Sequence, residues 1–556
     1  MGLTYRASTG FFRRAATTWA VALFLVVSGT AAMGCGRSDK EAKQASAEGK
    51  KKKKKSKKKK AKPVALPPLS VDCAAPVTAH TYELPKLSEE ADLRAPATEG
   101  AVQLTSGPML GAVADQSVKV WLRMDRPAPW RVTIWPTKGV KKKRVIEGAL
   151  PAQEHDFTST LEIGELKPAT PYAYQVEVGA AGKGAVKLPE KAFHTLAATG
   201  TPGKLRFAVG GHIAGDIDGK IFTQIAETKP DFLVLLGDLM YADDIKKPSY
   251  SAYAAKYERN WNVPELEELT QAVPAFMIWD DHEIKKGYFA GSSTNRYEPA
   301  RLAYQLYAQA HNPAPPYPGA LHYQFRAGDV SFFVADVRSH RKNPKDEDDH
   351  KKTLIGDAQK AELARFLKCD PGKVKVIVSP VMFGGPANGN QAWTAYKRER
   401  DQLLSFIEAE KVDNVIVVSG DQQWSALLKY DRPKTIVYEL LATPLSKELG
   451  KGPTGPMKSI VARDDDQHVF GVVDIDTTVT PATIAFTLCA RGKPCKPGEE
   501  PAPTTALDVE GEQDNVPFTV KITDADLGVK PETAAAAEPA PVAAPPAAAE
   551  ATAAPK

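Results

Sequence analysis

Residues 231–244 read DFLVLLGDLMYADD, in which an apolar run stops abruptly at Gly237-Asp238. Similar runs recur along the chain, and amphipathic stretches such as residues 358–367 and 399–409 lie between some of them. Continuous apolar strands alternating with amphipathic segments are typical of an α/β domain with a buried sheet. We therefore predict such a domain over residues 204–492, closed by two antiparallel strands. Its predicted strands are residues 205–212, 231–238, 275–281, 330–338, 373–380, 414–421, 435–444, 469–476 and 482–488.

Acidic residues and histidines stand at the ends of these predicted strands. A single Asp there is ordinary, since it caps a helix or starts a turn, but five strands in succession are not explained in this way. The carboxyl ends of parallel strands meet in one crevice, where several carboxylates would repel one another unless cations held them. Nitrogen and oxygen ligands suit iron, zinc, manganese or calcium. The candidate residues are His212, Asp238, Tyr241, Asp280, Asp281, His282, Glu283, Asp336, Arg338, His340 and Asp421.

Five ordered blocks resemble the PhoD-like alkaline phosphatase/phosphodiesterase family of the metallophosphoesterase superfamily. LLGDLMYADD is similar to its GD-x-x-Y block, FMIWDDHE to its W-D-D-H-E block and FFVADVRSHR to its L-D-x-R-x-x-R block. AWTAYKRERDQLL resembles W-x-x-Y-x-x-E-R, with Arg398 and Glu399 inverted or shifted by one, and VIVVSGD and YELLATPLS resemble the last two site strands. The resemblance covers residues 100–490. It implies an α/β metallophosphatase (calcineurin-like) β-sheet sandwich flanked by helices, preceded by a small all-β immunoglobulin- or fibronectin-like sandwich.

The same resemblance implies an exported enzyme that hydrolyses phosphate mono- or diesters with water activated by two metal ions. Carried over by position, Asp238 would bridge the ions, and Tyr241 and Asp421 would be further ligands. His212, at the end of the first strand, is a fourth candidate ligand. Iron and calcium are the expected ions, with zinc or manganese as alternatives. A tyrosine ligand favours ferric iron.

Three residues are the candidate catalytic groups: Asp281, His282 and Arg338. His282 would either donate a proton to the leaving alkoxide or hold Asp281 in place. Arg338 would either clamp a phosphate bidentately or pair with Asp336.

Three positions depart from the family pattern. His212 stands where the first strand usually ends in Ser-Cys, Lys286 where an Asn ligand is usual, and Gln423 where a His is usual. Imidazole binds iron or zinc well, but a protonated Lys cannot bind a metal and Gln is a weak neutral donor. Lys286 could instead replace the charge of one ion, which would leave a mononuclear site.

Two other functions therefore compete with the phosphoesterase. One is a catalytically degenerate PhoD-like surface binding protein, which keeps the pocket to hold a phosphate or a partner. The other is a metal-free glycosidase with paired Asp residues. The glycosidase fits less well, because the acids lie on many strands rather than two.

Residues 100–198 have a different pattern, with short alternating strands at 118–124, 130–136, 157–166 and 172–179 and no helical period. This pattern predicts a small β-sandwich. LKPATPYAYQVEV (166–178) resembles the end of a fibronectin type III-like domain. Since these residues include no titratable cluster, we expect the sandwich to pack or space rather than to catalyse.

The N-terminus resembles a bacterial lipoprotein signal. Arg13-Arg14 precede the apolar run 19–27, and AMGC ends at Cys35. The pattern predicts a signal peptide over 1–34, with Cys35 as the lipidated N-terminus of a cell-envelope lipoprotein, on the periplasmic face or at the cell surface. The alternative is a transmembrane anchor over 15–33, but its nine strongly apolar residues fall short of the roughly 20 that a span needs.

The ends of the chain have compositions that cannot build a core. Residues 36–62 carry 14 Lys or Arg against three acids, and we predict that 35–99 form a Lys-rich disordered tether. The tether would lie against an anionic membrane surface or act as a solvated spacer. Residues 493–526 would be a C-terminal extension and 527–556 an Ala/Pro-rich disordered tail. The net charge is +6, so the chain outside the basic N-terminus is acidic and we expect no nucleic-acid binding.

Four cysteines remain after the signal: Cys73, Cys369, Cys489 and Cys495. An even number in an exported chain permits disulfides. Cys489 and Cys495 flank a short Gly/Pro turn and are the predicted pair. Cys73 and Cys369 would then form the second pair, for which the only argument is that they are the two cysteines remaining.

Overall fold

The structure is a computed structural model, and no helix among its described residues is both long and apolar enough to cross a bilayer. The predicted signal peptide, Cys35, the Lys-rich run and the Ala/Pro-rich tail lie outside those residues. The described residues are 66–74, 83–88, 92–139, 142–180, 185–214, 219–385, 391–431, 436–452, 460–464, 466–480, 482–495, 497 and 519–523.

Most of the predicted strands and both predicted amphipathic helices are present, with ends that differ by a few residues. The strands are β1 Leu104–Gly111, β2 Val118–Met124, β3 Trp130–Pro136, β4 Arg144–Glu147, β5 Thr158–Ile163, β6 Pro171–Val178, β7 Val186–Lys187, β8 Lys191–His194, β9 Lys204–Gly210, β10 Phe232–Leu236, β11 Ala275–Ile278, β12 Tyr323–Ala327, β13 Val330–Val334, β14 Val374–Ser379, β15 Val415–Ser419, β16 Ser425–Asp431, β17 Ile436–Leu441, β18 Ile460–Asp464, β19 Val469–Asp476, β20 Thr483–Ala490 and β21 Thr519–Thr523. The helices are α1 Lys220–Glu227, α2 Tyr250–Trp261, α3 Pro264–Thr270, α4 Thr294–Tyr307, α5 Asp357–Cys369 and α6 Lys397–Glu410.

Two large sheets form the α/β domain. The first has the order β21-β20-β19-β9-β10-β11-β1-β2-β5 and the second β12-β13-β14-β15-β17-β16-β18. β9, β10 and β11 are parallel, and so are β13, β14, β15 and β17. Phenylalanines join the sheets: the Phe207 ring from β9 lies 5.3 Å from the Phe332 ring of β13. The predicted sheet sandwich is therefore present, and β19 and β20 close the first sheet antiparallel as expected.

The register of the parallel strands brings their ends together. Leu235 in β10 pairs with Gly210 in β9, and Leu236 pairs with Ile278 in β11. In the second sheet, Ser379 of β14 pairs with Ser419 of β15. The residues that follow these strands therefore leave the sheets side by side, which is how the chain collects polar groups in one place.

The N-terminal sandwich shares a sheet with the α/β domain. β1, β2 and β5 extend the first large sheet through a parallel pairing of Gly111 with Ala275, while β3, β4, β6, β7 and β8 form the opposing sheet. β1 was not predicted, since Gly107 and Pro108 interrupt any alternating pattern there. Hydrogen bonding thus continues across the predicted domain boundary.

The predicted tether is too long at its C-terminal end, because parts of residues 66–99 pack on the folded body. Leu87 is 5% exposed, and its N–H donates to the Glu154 carbonyl. Arg94 pairs with the buried Asp156. The burial of Leu87 and the ion pair of Arg94 with Asp156 therefore attach to the folded body a segment whose composition predicts a spacer.

Both disulfides form in the structure. Cys489 pairs with Cys495, as predicted from the turn between them, and Cys73 pairs with Cys369 at the end of α5. Arg365 strengthens the second attachment, because its Nη1 donates to the Asp72 carbonyl at 2.6 Å. The segment just before the sandwich is thereby fixed to α5.

Candidate metal centre

Three predicted ligands share an unusual backbone conformation. His212, Asp238 and Asp421 have φ values of 62°, 50° and 67°, and each follows a glycine at the end of a parallel strand. Left-handed backbone is costly for a residue with a Cβ and is concentrated at functional sites. Gly237 itself has a φ of 90°, and a Cβ on it would lie 2.6 Å from the Asp280 Cβ. The Gly-X pairs therefore turn the chain sharply and let neighbouring strand ends approach closely.

The first group of candidate ligands consists of Asp238, Asp281 and His282, whose ligand atoms lie within 4.8 Å of one another. His212 Nδ1 is 3.1 Å from Asp238 Oδ2. The Tyr241 hydroxyl lies 3.1 Å from the same carboxylate oxygen and 3.3 Å from His212 Nδ1. The structure thus brings the predicted residues of three strand ends into one cluster.

The second group consists of Asp280, Asp281 and Asp421. Asp281 is therefore the carboxylate common to both groups, although the sequence analysis assigned the bridging role to Asp238 and treated Asp281 as catalytic. Asp281 follows β11, and its carboxylate lies near both Asp238, which follows β10 of the same sheet, and Asp421, which follows β15 of the other sheet.

Arg338 is completely buried against this second group. Its Nε donates to Asp280 Oδ1, and its Nη2 lies 3.4 Å from Asp281 Oδ1 and 3.5 Å from Asp421 Oδ1. The expected alternative partner, Asp336, instead accepts from the Trp279 indole and from the Arg338 backbone N–H. One guanidinium therefore already balances part of the charge of three carboxylates.

Burial sets the protonation of the first group. It lowers the pKa of His212 to about 4 and raises the pKa of Asp238 to about 6. His212 is therefore neutral at physiological pH, and its buried Nε2 has no hydrogen-bond partner among the described residues. A neutral imidazole nitrogen beside buried carboxylates is the donor set that a cation requires, so these residues fit a metal ion.

Asp243 was not singled out from the sequence, yet it contacts His282 directly. His282 Nδ1 hydrogen-bonds to Asp243 Oδ2, and Asp243 Oδ1 accepts from the Lys286 backbone N–H at 2.7 Å. Burial lowers the pKa of His282, but the nearby Asp238 carboxylate and the hydrogen bond to Asp243 outweigh it and raise that pKa to about 10. The only sequence signal was the first of the two acids that follow Tyr241 in YADD.

The side chain of Lys286 does not take the place of a metal charge. Lys286 is exposed, and within the described part of the chain its ammonium makes no ion pair with the carboxylates. The side chain that lies against those carboxylates is Arg338. At the other altered position, the amide of Gln422, not that of Gln423, donates to Asp421 Oδ2 at 2.7 Å.

Two further residues support the cluster: Glu283, which the sequence indicated only as one of the candidate residues at the strand ends, and Gln391, which was not predicted. Glu283 is buried and accepts from the backbone N–H groups of Asp238 at 3.2 Å and Asp280 at 2.9 Å, which ties two strand ends together. The side-chain oxygen of Gln391 accepts from Arg338 Nη1 and Arg341 Nη2, both at 3.0 Å. Asp336 and His340 belong to neither ligand group.

Comparisons with known proteins match two parts of this chain to known families. A family model described as PhoD-like phosphatase matches residues 208–484, and a domain of unknown function (DUF7800) matches 101–197. Alkaline phosphatase D of Bacillus subtilis (strain 168) is 26% identical over an alignment of 266 residues, and the match covers 38% of this chain. The match spans 45% of that relative, less than half of its length.

Two solved structures have a similar fold. A structure of PhoD is 19% identical with a TM-score of 0.58, and covers 71% of this chain and 92% of its own. Purple acid phosphatase PPD1 from yellow lupin (Lupinus luteus) seeds is 13% identical with a TM-score of 0.54, and covers 79% and 78% respectively. These likenesses confirm the predicted metallophosphatase fold. Through residues 208–484, the chain belongs to the PhoD-like phosphatase family.

Proposed function

We propose that this protein is a metal-dependent phosphoesterase that hydrolyses phosphate mono- or diesters. The observation that carries the proposal is the buried pair Asp238 and Asp281, with the neutral His212 and the Tyr241 hydroxyl beside Asp238 and the half-buried His282 close by. Buried carboxylates at this density are stable only with cations nearby. Membership of a phosphatase family supports the same reaction class.

The chain offers two adjacent places for metal ions. Asp238, Asp281, His212 and Tyr241 would hold one ion, and Asp280 and Asp421 would contribute to a second place that shares Asp281. Iron and calcium are the proposed ions, with zinc or manganese as alternatives. When bound, such ions activate water and stabilise the oxygens of an in-line displacement.

His282 would serve as the proton donor to the leaving oxygen. Its Nδ1 is held by Asp243, so the ring is oriented and Nε2 can carry the transferable proton. The Tyr241 ring packs on it at 4.4 Å. Arg338 is fully buried, so a substrate would not reach its guanidinium group. We propose instead that Arg338 orients Asp280, Asp281 and Asp421.

The test is metal content measured together with hydrolysis. Purified wild type, Asp238→Ala and Asp421→Ala proteins would be analysed by plasma mass spectrometry and assayed with aryl phosphate mono- and diesters, with Glu165→Ala in the sandwich as a control. We expect metal in the wild type and the control, a loss of metal in both site variants, and activity that follows metal. A wild type that binds metal but hydrolyses none of the esters would instead support the catalytically degenerate binding protein.

We also propose that the protein is an exported lipoprotein of the cell envelope, attached through Cys35 and held near anionic lipid by the Lys-rich run. The support is the signal sequence, together with two disulfides that suit an oxidising compartment. Intact-mass analysis and membrane fractionation of wild type and Cys35→Ser would test this. A Cys35→Ser protein that remains in the membrane fraction would contradict it.

A further inference from the structure

One ammonium group lies beside the candidate metal centre without a carboxylate partner. Lys447 Nζ is 4.7 Å from the centre of the Tyr241 ring, whose hydroxyl is 3.1 Å from Asp238 Oδ2. Lys447 is half-buried, and no described carboxylate makes an ion pair with it. By contrast Lys451, four residues along the same loop, pairs with Asp466.

The backbone around Lys447 is anchored to the strand end that carries His212. The N–H groups of Ser446 and Lys447 both donate to the His212 carbonyl, at 3.3 and 3.2 Å. The Leu445 N–H donates to the Gly211 carbonyl at 2.9 Å. On the other side, His468 Nε2 lies 2.8 Å from the Lys447 carbonyl. Several hydrogen bonds therefore hold the backbone at Lys447 at the edge of the site.

The interaction that now occupies this ammonium is a weak one. A cation over an aromatic ring at a partly exposed position is worth about 0.5–1 kcal/mol. A hydrogen bond from an ammonium to a phosphate oxygen is stronger, because both groups are charged. Arg338 already serves three carboxylates and is fully buried. The chemistry at this edge thus suits an anionic oxygen of a bound ester.

We propose that Lys447 is a substrate-binding residue that contacts a non-bridging phosphoryl oxygen, and that it makes the site favour monoesters over diesters. This inference rests on the proposed function. A phosphate monoester carries almost two negative charges above pH 7, since its second pKa is about 6, whereas a diester carries one. A fixed ammonium therefore contributes more to binding the monoester.

The experiment compares Lys447→Met and Lys447→Arg with the control Lys451→Met at pH 8. We would measure kcat and KM for p-nitrophenyl phosphate and bis(p-nitrophenyl) phosphate, metal content, and the Kd of inorganic phosphate by calorimetry. Losing one charge-assisted hydrogen bond predicts a fall in kcat/KM for the monoester of about 10- to 100-fold in Lys447→Met, mainly through KM. We expect a much smaller fall for the diester, a similar rise in the phosphate Kd, substantial rescue in Lys447→Arg and no change in Lys451→Met.

Several outcomes would overturn the inference, and they are distinct from failure of the proposed function. An equal effect on both esters, or none, removes the assigned specificity while hydrolysis stands. Loss of metal from Lys447→Met would mean that the residue is structural. If the wild type hydrolyses neither ester, the proposed function fails, and the phosphate Kd alone decides whether Lys447 binds the anion.

Discussion

Several side chains at the site act on other side chains rather than on a ligand. Asp243 holds the His282 ring, Glu283 holds the backbone at Asp238 and Asp280, and Gln391 holds Arg338. Such supporting groups fix tautomer and orientation, and their loss typically costs about 10- to 100-fold in activity or metal affinity. Asp243, Glu283 and Gln391 are therefore expected to affect the chemistry by positioning other residues of the site.

Asp243→Asn is expected to lower turnover about 10- to 100-fold while the metal content is retained. The reason is that Asn cannot stabilise a protonated His282 as a carboxylate does. Asp244→Asn is the matched control, because Asp244 is the next residue, is 73% exposed and pairs only with Lys256 among the described residues. Steady-state kinetics and metal analysis of both variants check this. Equal turnover in the two variants would show that Asp243 has no positioning role.

At the scale of elements, the strand ends follow one design. β9, β10 and β15 each end next to a glycine that is followed by a left-handed His or Asp. The glycine permits close approach of the neighbouring strand end, and the next residue turns its side chain into the cluster. The register of the strands therefore decides which side chains meet at the site.

Gly237→Ala should disturb this arrangement. The added Cβ would lie 2.6 Å from the Asp280 Cβ, at a φ of 90° that an L-residue rarely adopts. We expect a loss of about 1–3 kcal/mol in the free energy of unfolding, together with lower metal content. Gly164→Ala serves as a control, since a Cβ there has nothing within 4 Å. Chemical denaturation of both variants gives the comparison, and similar stabilities would contradict the close approach.

At the scale of the whole molecule, a buried polar network joins the N-terminal segment, the sandwich and the helices of the α/β domain. Asp156 is 2% exposed and accepts from Arg94, Arg123 and the hydroxyls of Tyr250 and Tyr307. Breaking one partner of a buried network leaves the others uncompensated. The network therefore couples parts of the chain that the sequence analysis had separated.

Asp156→Asn should lower the free energy of unfolding by about 3 kcal/mol, since Arg94 and the buried Arg123 would each keep only Glu258 as a carboxylate partner. Asn keeps the left-handed φ of 53° that Asp156 has. Glu165→Gln is the control, because Glu165 also has a left-handed φ, of 59°, but its side chain is 90% exposed. Denaturant unfolding of both variants measures the difference. A cost below about 1 kcal/mol for Asp156→Asn would show that the network is not a stabilising link.

A second contact between the sandwich and the α/β domain should depend on pH. His194 in β8 hydrogen-bonds to Asp231, just before β10, and this bond raises the pKa of His194 despite partial burial. A raised pKa stabilises the folded state fully below the unfolded value of about 6.5, and the gain is lost as pH rises through the folded pKa. His194→Gln should therefore destabilise the protein more at pH 5.5 than at pH 8.5. The effect should be small because the side chain is 41% exposed, and a larger cost at pH 8.5 would reverse the sign of our expectation.

The sequence by itself determined the α/β class, the main strands, the family and most of the residues that the structure brings together at the candidate site. These depend on local patterns: apolar runs that end at Gly-Asp or Asp-Asp-His, and spacing along one strand and the loop after it. His212, Asp238, Tyr241 and Asp421 could be selected in this way, because each belongs to a strand end. These local sequence patterns do not indicate which charged side chains contact one another in the folded protein.

Only the tertiary structure decided the pairings. Arg338 meets Asp280 and not Asp336, Asp281 is common to both ligand groups, and Lys447 reaches Tyr241 across a long sequence separation. Likewise, the segment before residue 100 is ordered by a distant disulfide and a distant Asp156, although its composition predicts disorder. The physical reason is that electrostatic contacts depend on distances of a few ångströms. Those distances are set by sheet order and packing, not by the residues adjacent in sequence.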